Sequence, residues 1–190
     1  MATAPSALLI KPQLLEKAHE LASELQRRNR RIVFAESCTA GWLPALLSTI
    51  PGISESLCGS AVVYREGTKQ HWLDISSTDL ADPAIGVVSA EVAAAMARHV
   101  LNRTSEADLA VSITGHLGPN APPALDGVVY IGLAERASVG DQDVRTLRYQ
   151  LAGTTASGES LRWTRQQQAI ELVLQMALDA LCSSSGNDQR

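Results

Sequence analysis

Apolar positions recur along the chain with two distinct periods, and the alternation between them predicts the architecture. Over residues 12–28, Leu14, Leu15, Ala18, Leu21, Ala22 and Leu25 fall at helical spacing with Glu, Lys and Arg between them, which describes an amphipathic helix. The run Arg31-Ile32-Val33-Phe34 then predicts a buried strand near 31–36, cut short by small, hydroxylated and glycine residues. A helix ending near Pro51-Gly52 follows. Proline keeps every helical hydrogen bond only within the first turn, so Pro44 suits a straight helix that begins at Trp42 with Gly41 as its cap, whereas an earlier start implies a kink.

Further strands are expected from Leu57 to Arg65, Asp108 to Ile113, Gly127 to Glu135 and Val144 to Leu151. Between them lie a short helical turn from Lys69 to Leu73 and a helix over 90–101. Ser89 is a candidate N-cap for that helix, and Glu91 complements its positive end. The segment 114–126, rich in Gly, Pro and Asn, reads as a loop; residues 159–182 read as a long closing helix, and Ser183 to Arg190 as a frayed tail. Strands alternating with helices imply one layered α/β/α domain over residues 1–190, with a core from about 12 to 182 and short flexible termini. The strands at 127–135 and 144–151 are close enough in sequence for an antiparallel hairpin, so the sheet is expected to be mixed and mostly parallel. In such sheets ligands collect at strand ends, which puts the turns at Ser37 and Thr114 at one candidate pocket.

Composition narrows the functional classes. A chain of 190 residues with 45% hydrophobic and 19% charged residues suits one globular domain with a substantial core. Sixteen basic residues against 20 acidic ones, a net charge of −4, argue against a general nucleic-acid binder. Cys38, Cys58 and Cys182 are odd in number and lack CxxC spacing, which fits neither a disulfide framework nor a zinc site, and His19, His71 and His99 lack metal-ligand spacing. No metal and no organic cofactor are expected. Met1 to Ser6 lacks the basic start and apolar core of a signal peptide, and the uncharged run 37–54 is interrupted by Gly41, Pro44, Pro51 and Gly52, so no membrane span is expected. The expected address is a reducing cytoplasm.

The stretch Ala35-Glu36-Ser37-Cys38-Thr39-Ala40-Gly41 holds the densest chemistry. A hydroxyl at a strand-to-helix turn can stand clear of the sheet beside backbone N–H groups able to stabilise an oxyanion or phosphate; equally, Ser37 and Thr39 can simply cap the next helix. Cys38 is the rival nucleophile, but adjacent residues near a strand end point to opposite sides, so Ser37 and Cys38 are not expected to share a pocket. Thr39, Gly41, Thr114, Gly115 and Gly118 are candidates for phosphate or oxyanion contact, with turn geometry as the alternative.

Three more segments accompany that turn: Gly59-Ser60-Ala61-Val62-Val63-Tyr64-Arg65-Glu66-Gly67-Thr68-Lys69, Gly86-Val87-Val88-Ser89-Ala90-Glu91-Val92, and Ser112-Ile113-Thr114-Gly115-His116-Leu117-Gly118-Pro119 followed by Gly127-Val128-Val129-Tyr130-Ile131. In this order they closely resemble the CinA carboxy-terminal domain family, from roughly residue 12 to 182. The characterised members of that family are nicotinamide mononucleotide (NMN) deamidases, also called PncC. The resemblance implies Ser37 as nucleophile with Tyr64 and Lys69 as catalytic partners, a small nucleotide as substrate, and a homo-oligomer. A lysine base requires a pKa brought down by burial or nearby positive charge. Glu36 could hold Lys69 or an N–H of the turn, or be a strand-end carboxylate. The sequence departs from the family at two places. His116 and Leu117 stand where the family has Ile and Ala, leaving His116 as a solvated loop residue, a substrate contact, or a base for Ser37 with Asp126. The family's Gly-Asp-Arg segment is broken here into Gly158-Glu159-Ser160-Leu161-Arg162-Trp163-Thr164-Arg165, so either Arg162 or Arg165, with Arg165 slightly favoured, supplies the cation. The implied activity is deamidation of NMN to nicotinic acid mononucleotide through a serine acyl-enzyme. The alternatives are a non-catalytic nucleotide-binding module and an amidase for another small carboxamide.

Overall fold

The computed structural model describes residues 10–136, 143–153 and 160–183. The elements run α1 (Pro12–Arg27), β1 (Ile32–Glu36), α2 (Trp42–Leu47), β2 (Leu57–Val62), α3 (Glu66–Leu73), α4 (Ser77–Ala81), α5 (Ala90–Arg103), β3 (Leu109–Gly115), β4 (Val128–Glu135), β5 (Asp143–Gln150) and α6 (Leu161–Ser183). Single 3-10 turns precede β2 and β4. Ser183, the first residue of the expected frayed tail, is the last residue of α6, and the rest of that tail, the first nine residues and the Gly158-Glu159 pair lie outside the described residues.

The five strands form one sheet in the order β2-β1-β3-β4-β5. β1 pairs in parallel with β2 and β3, while β4 runs antiparallel to both β3 and β5. Four of the five strands therefore point the same way, and only β4 is reversed. Period-2 alternation explains how the sheet carries helices on both faces. Ile32 and Phe34 of β1 enter one core with α1, α2 and α6, whereas Val33 and Ala35 enter the other with Leu73 of α3, Leu80 of α4 and Val92, Met96 and Val100 of α5. The hairpin expected from the short 135–144 connection is β4–β5.

Local chemistry sets the helix starts. α2 begins at Trp42 behind Gly41, whose φ of 94° is left-handed backbone that glycine adopts at little cost, and Pro44 sits inside the first turn, where its missing N–H is harmless. α5 is capped by Ser89, whose hydroxyl accepts from the Val92 N–H at 3.2 Å. The same helix is seated on the sheet by the buried Ser112 hydroxyl, which donates to the Ala93 carbonyl at 2.6 Å. α3 starts at Glu66, three residues before the expected helical turn, because the Thr68 hydroxyl accepts from the Arg65 N–H and donates to the Arg65 carbonyl, closing an extra turn. α4 has no apolar period in so short a segment; the Ser76 hydroxyl caps it through the Asp79 N–H.

Removing the α5 cap should be felt globally, since α5 buries Val92, Met96, Val100 and Leu101 in the core on one face of the sheet. Ser89→Ala is expected to lower unfolding stability by about 1 kcal/mol, measured by urea denaturation, with an unchanged slope against denaturant.

Candidate active site

The site forms where β1 and β3 end on the same edge of the sheet. The Ser37 N–H donates to the Ile113 carbonyl at 3.0 Å, which extends β1–β3 pairing one step beyond Glu36 and fixes where the chain leaves the sheet. The turn that follows is anchored from beneath by Glu36. This fully buried carboxylate accepts from the N–H groups of Gly41 at 3.0 Å and Leu43 at 3.3 Å, and from the Ser60 hydroxyl at 2.8 Å. Of the options open for Glu36, the structure displays the one in which it holds the turn. From above, the Gln166 side chain on α6 donates to the carbonyls of Cys38 and Thr39, and Trp163 packs on Trp42 with ring centroids 4.8 Å apart.

Lys69 approaches Ser37 from α3. It is only 2% exposed, and its Nζ donates to the Ser37 hydroxyl at 2.9 Å and to the Val63 carbonyl at 3.0 Å. Burial penalises the ammonium form and pushes its pKa down to about 8 from an ordinary value of 10.5. α3 cannot easily rotate the lysine away: a ring nitrogen of His99 on α5 bonds the Leu73 carbonyl, and the Ile75 N–H returns to the Lys69 carbonyl at 3.2 Å.

Ser37 and Lys69 open into a cleft of about 610 Å³. Tyr64 and Arg162 stand at its rim, and the end of β3 with the loop after it supplies another wall through Thr114, Gly115 and Gly118. The Arg162 guanidinium spans the two sides, donating to the Tyr64 hydroxyl at 2.8 Å and to the Gly118 carbonyl at 2.7 Å. Tyr64 is 52% exposed and lines the cleft. The Thr114 hydroxyl is engaged with the Val87 carbonyl at 2.8 Å.

Four other residues expected at the site lie off the cleft wall. Glu36 sits beneath the turn, and Thr39 and Gly41, within the turn, do not line the cleft, with Thr39 fully buried. Arg165 lies beneath the loop, its guanidinium paired with Asp126 through two bonds of 2.8 Å. Of the two arginines, it is Arg162 that faces the cleft.

Cys38 requires a correction, since it lines the cleft together with Ser37. Both residues lie past the end of β1, where the strict alternation of a strand no longer holds. Burial pushes the Cys38 thiol up to about 12, which leaves it protonated and inert at neutral pH. His116 also lines the cleft, half-buried, and burial pushes its imidazole below the ordinary range. Asp126 is committed to Arg165 and the Ser37 hydroxyl to Lys69, so a serine–histidine–aspartate relay is not assembled. Sequence reading missed Arg65, which lines the cleft beside Tyr64. Its place between Tyr64 and Lys69 was the available signal.

Residues 15–177 match the CinA C-terminal domain, and the chain belongs to that family. A CinA-like protein of Prochlorococcus marinus (strain MIT 9301) is 45% identical over 116 residues, covering 60% of this chain and 27% of that protein. A CinA-like protein of Chlorobium limicola (strain DSM 245 / NBRC 103803 / 6330) is 36% identical over 156 residues, covering 77% of this chain and 36% of its own length. The chain thus spans roughly a third of the curated relatives it matches. Among solved structures, competence/damage inducible protein CihA from Agrobacterium tumefaciens superposes with a TM-score of 0.78 at 25% identity, covering 91% of this chain and 98% of that one. A competence or damage-inducible protein from Enterobacter asburiae gives a TM-score of 0.73 at 25% identity over 88% and 98% of the two chains. Among the described residues no helix is long and apolar enough to cross a membrane.

The buried lysine has a consequence for stability. Between about pH 8 and 10.5 the unfolded chain still holds a proton that the folded chain has shed, so the wild type gains stability across that window. Lys69→Met should lack this gain. Denaturant unfolding at pH 7.5 and 10.5 is expected to show the wild type improving relative to Lys69→Met by on the order of 3 kcal/mol at most.

Proposed function

We propose that the chain is an amidohydrolase that deamidates NMN to nicotinic acid mononucleotide and ammonia through an acyl-enzyme on Ser37. The observation that carries this reading is the buried Lys69 Nζ, 2.9 Å from the Ser37 hydroxyl with its pKa brought down to about 8. A serine needs a base at hydrogen-bond distance that is partly neutral near working pH, and a desolvated lysine meets both demands.

In this reading neutral Lys69 removes the Ser37 proton as Oγ attacks the carboxamide carbon. The resulting ammonium returns that proton to the leaving nitrogen as the C–N bond breaks and ammonia departs. Water then enters, gives a proton to Lys69, and attacks the acyl carbon to release the carboxylate and restore the Ser37 hydroxyl. Tyr64 acts on the bound substrate rather than on Ser37: its oxygen already accepts from Arg162, which leaves its own proton available for donation. Arg162 and Arg65 supply positive charge at the rim for the 5′-phosphate, whose binding energy positions the remote carboxamide. His116, standing in the cleft where the family pattern has isoleucine, favours a second reading in which the same pair hydrolyses another small carboxamide.

Ammonia release from purified protein separates the readings. NMN should be hydrolysed with kcat/KM at least about 10²-fold above nicotinamide riboside, since charge-assisted hydrogen bonds to phosphate contribute roughly 1.5–3 kcal/mol each. Arg162→Met should shrink that preference by weakening NMN turnover more than turnover of the riboside, both being lowered by release of Tyr64 and the Gly118 carbonyl. Equal kcat/KM for the two substrates would favour the other carboxamide.

The nucleophile and base are tested by variants and pH. Ser37→Ala should abolish turnover while Cys38→Ala retains most of it, and Lys69→Met should slow acylation by about 10²- to 10⁴-fold in single-turnover kinetics. Because the base works only when deprotonated, wild-type kcat/KM should rise with pH and level off above about 8. A profile flat from pH 6 to 9 would remove Lys69 from the base role.

A further inference from the structure

Arg165 sits one turn beyond Arg162 on α6 and grips the same loop from beneath. It is 2% exposed and its guanidinium makes four hydrogen bonds: Nη1 and Nη2 bond the two carboxylate oxygens of Asp126 at 2.8 Å, Nε donates to the Ala152 carbonyl at 2.9 Å, and Nη1 also donates to the Leu117 carbonyl at 3.3 Å. The next carbonyl, that of Gly118, takes the bond from Arg162. Two successive loop carbonyls are thus held by arginines of α6. In a planar trans peptide the N–H points opposite to the C=O. With its oxygen turned to buried Arg165, the Leu117–Gly118 peptide directs the Gly118 N–H away from that side. Gly118 lines the cleft, and its N–H has no hydrogen-bond partner among the described residues.

Packing holds this orientation tightly. A Cβ at Gly118 would lie 2.8 Å from both Arg165 Nη1 and Asp126 Oδ1, and one at Gly127 would lie 3.1 Å from Arg165 Cζ. Both ends of the loop therefore rest directly on the ion pair. Asp126 is further tied in through its carbonyl, which accepts from the Gln150 side chain at 2.8 Å.

We infer that the Arg165–Asp126 pair is a positioning device that aims the Gly118 N–H into the cleft, as a donor for the negative charge that develops on the reactant when Ser37 attacks. The inference rests on the Ser37 acyl-transfer reading, but not on the identity of the amide. Arg165 and Asp126 themselves touch no reactant; they act through the loop. A preset backbone donor of this kind stabilises charge without reorganising during the reaction.

A fluorophosphonate probe tests this without any nucleotide. Ser37 Oγ attacks phosphorus, a P–O bond forms, the P–F bond breaks with loss of fluoride, and the serine proton passes to Lys69. Charge builds on the phosphoryl oxygen in that step. Phosphonylation rates of the full chain are read by intact mass for the wild type, Ser37→Ala, Arg165→Met, Arg165→Lys and Asp126→Asn, with circular dichroism confirming the fold of each.

The wild type should label at Ser37 and Ser37→Ala should not. Arg165→Met and Asp126→Asn should label at least about 10-fold more slowly, because one lost oxyanion donor typically costs about 10²- to 10³-fold and a loosened loop forfeits part of that. Arg165→Lys, which keeps the charge but not the two-pronged geometry, should fall between them and the wild type. The loss should fall on the maximal labelling rate, while the probe concentration giving half of that rate stays within about threefold, which separates aim from general disruption. If Arg165→Met does not fold, Asp126→Asn, which keeps the shape of the carboxylate, decides the matter. Labelling of Asp126→Asn within twofold of wild type overturns the inference while leaving Ser37 as nucleophile. An unlabelled wild type overturns both.

Discussion

Sealing an amine beneath the protein surface is the constraint on which the rest of this structure depends. A lysine in water holds its proton well above neutral pH and is useless as a base; the same lysine 2% exposed, with Nζ between the Ser37 hydroxyl and the Val63 carbonyl, has its pKa brought to about 8. That burial is unfavourable to folding, so the surroundings must hold it in place. α3 is fixed at its start by the Thr68–Arg65 turn and at its end by His99, and β1 delivers Ser37 to the one position where its hydroxyl accepts from the amine. A site that is locally costly and held by packing elsewhere is what a functional pair demands.

The cleft is assembled from elements far apart in sequence, each contributing by a different physical route. β1 supplies an exit point, defined by one extra sheet hydrogen bond and by the buried Glu36 carboxylate under the turn. α3 supplies the base. α6 ties the whole together: Gln166 holds the Ser37 turn, Arg162 bridges Tyr64 to the Gly118 carbonyl, and Arg165 supports the same loop through Asp126. A single helix thereby controls both walls, and substitutions along its first two turns should be felt in the cleft even where no contact with a ligand exists.

Much of the fold is legible in the sequence because local chemistry and burial agree. The run Ile32-Val33-Phe34-Ala35 is apolar throughout because β1 is flanked by strands and covered on both faces, and the Gly41–Pro44 spacing suits a straight start for α2 at Trp42. Ser89 before an alanine-rich run marks α5. α4 escapes notice since its five residues carry no period, only the Ser76 cap. The site is legible in its chemistry but not in its orientations. Ser37, Tyr64 and Lys69 stand in recognisable motifs and meet in the cleft, whereas Glu36 and Arg165 are defined by partners, Ser60 and Asp126, that only the folded chain brings to them. Of two arginines three residues apart, sequence slightly favours Arg165, yet Arg162 faces the cleft and Arg165 the core, because helix geometry and the loop above decide the matter.

The charge state of Lys69 is the most direct point of attack. Nuclear magnetic resonance of protein carrying 15N-labelled lysine side chains, titrated from pH 6 to 11 and assigned by comparison with Lys69→Met, follows that amine independently of any substrate. Its 15Nζ resonance should titrate near pH 8, well below the ordinary lysine value of 10.5. A Lys69 resonance that titrates near 10.5 would contradict the assignment of this buried pair as nucleophile and base.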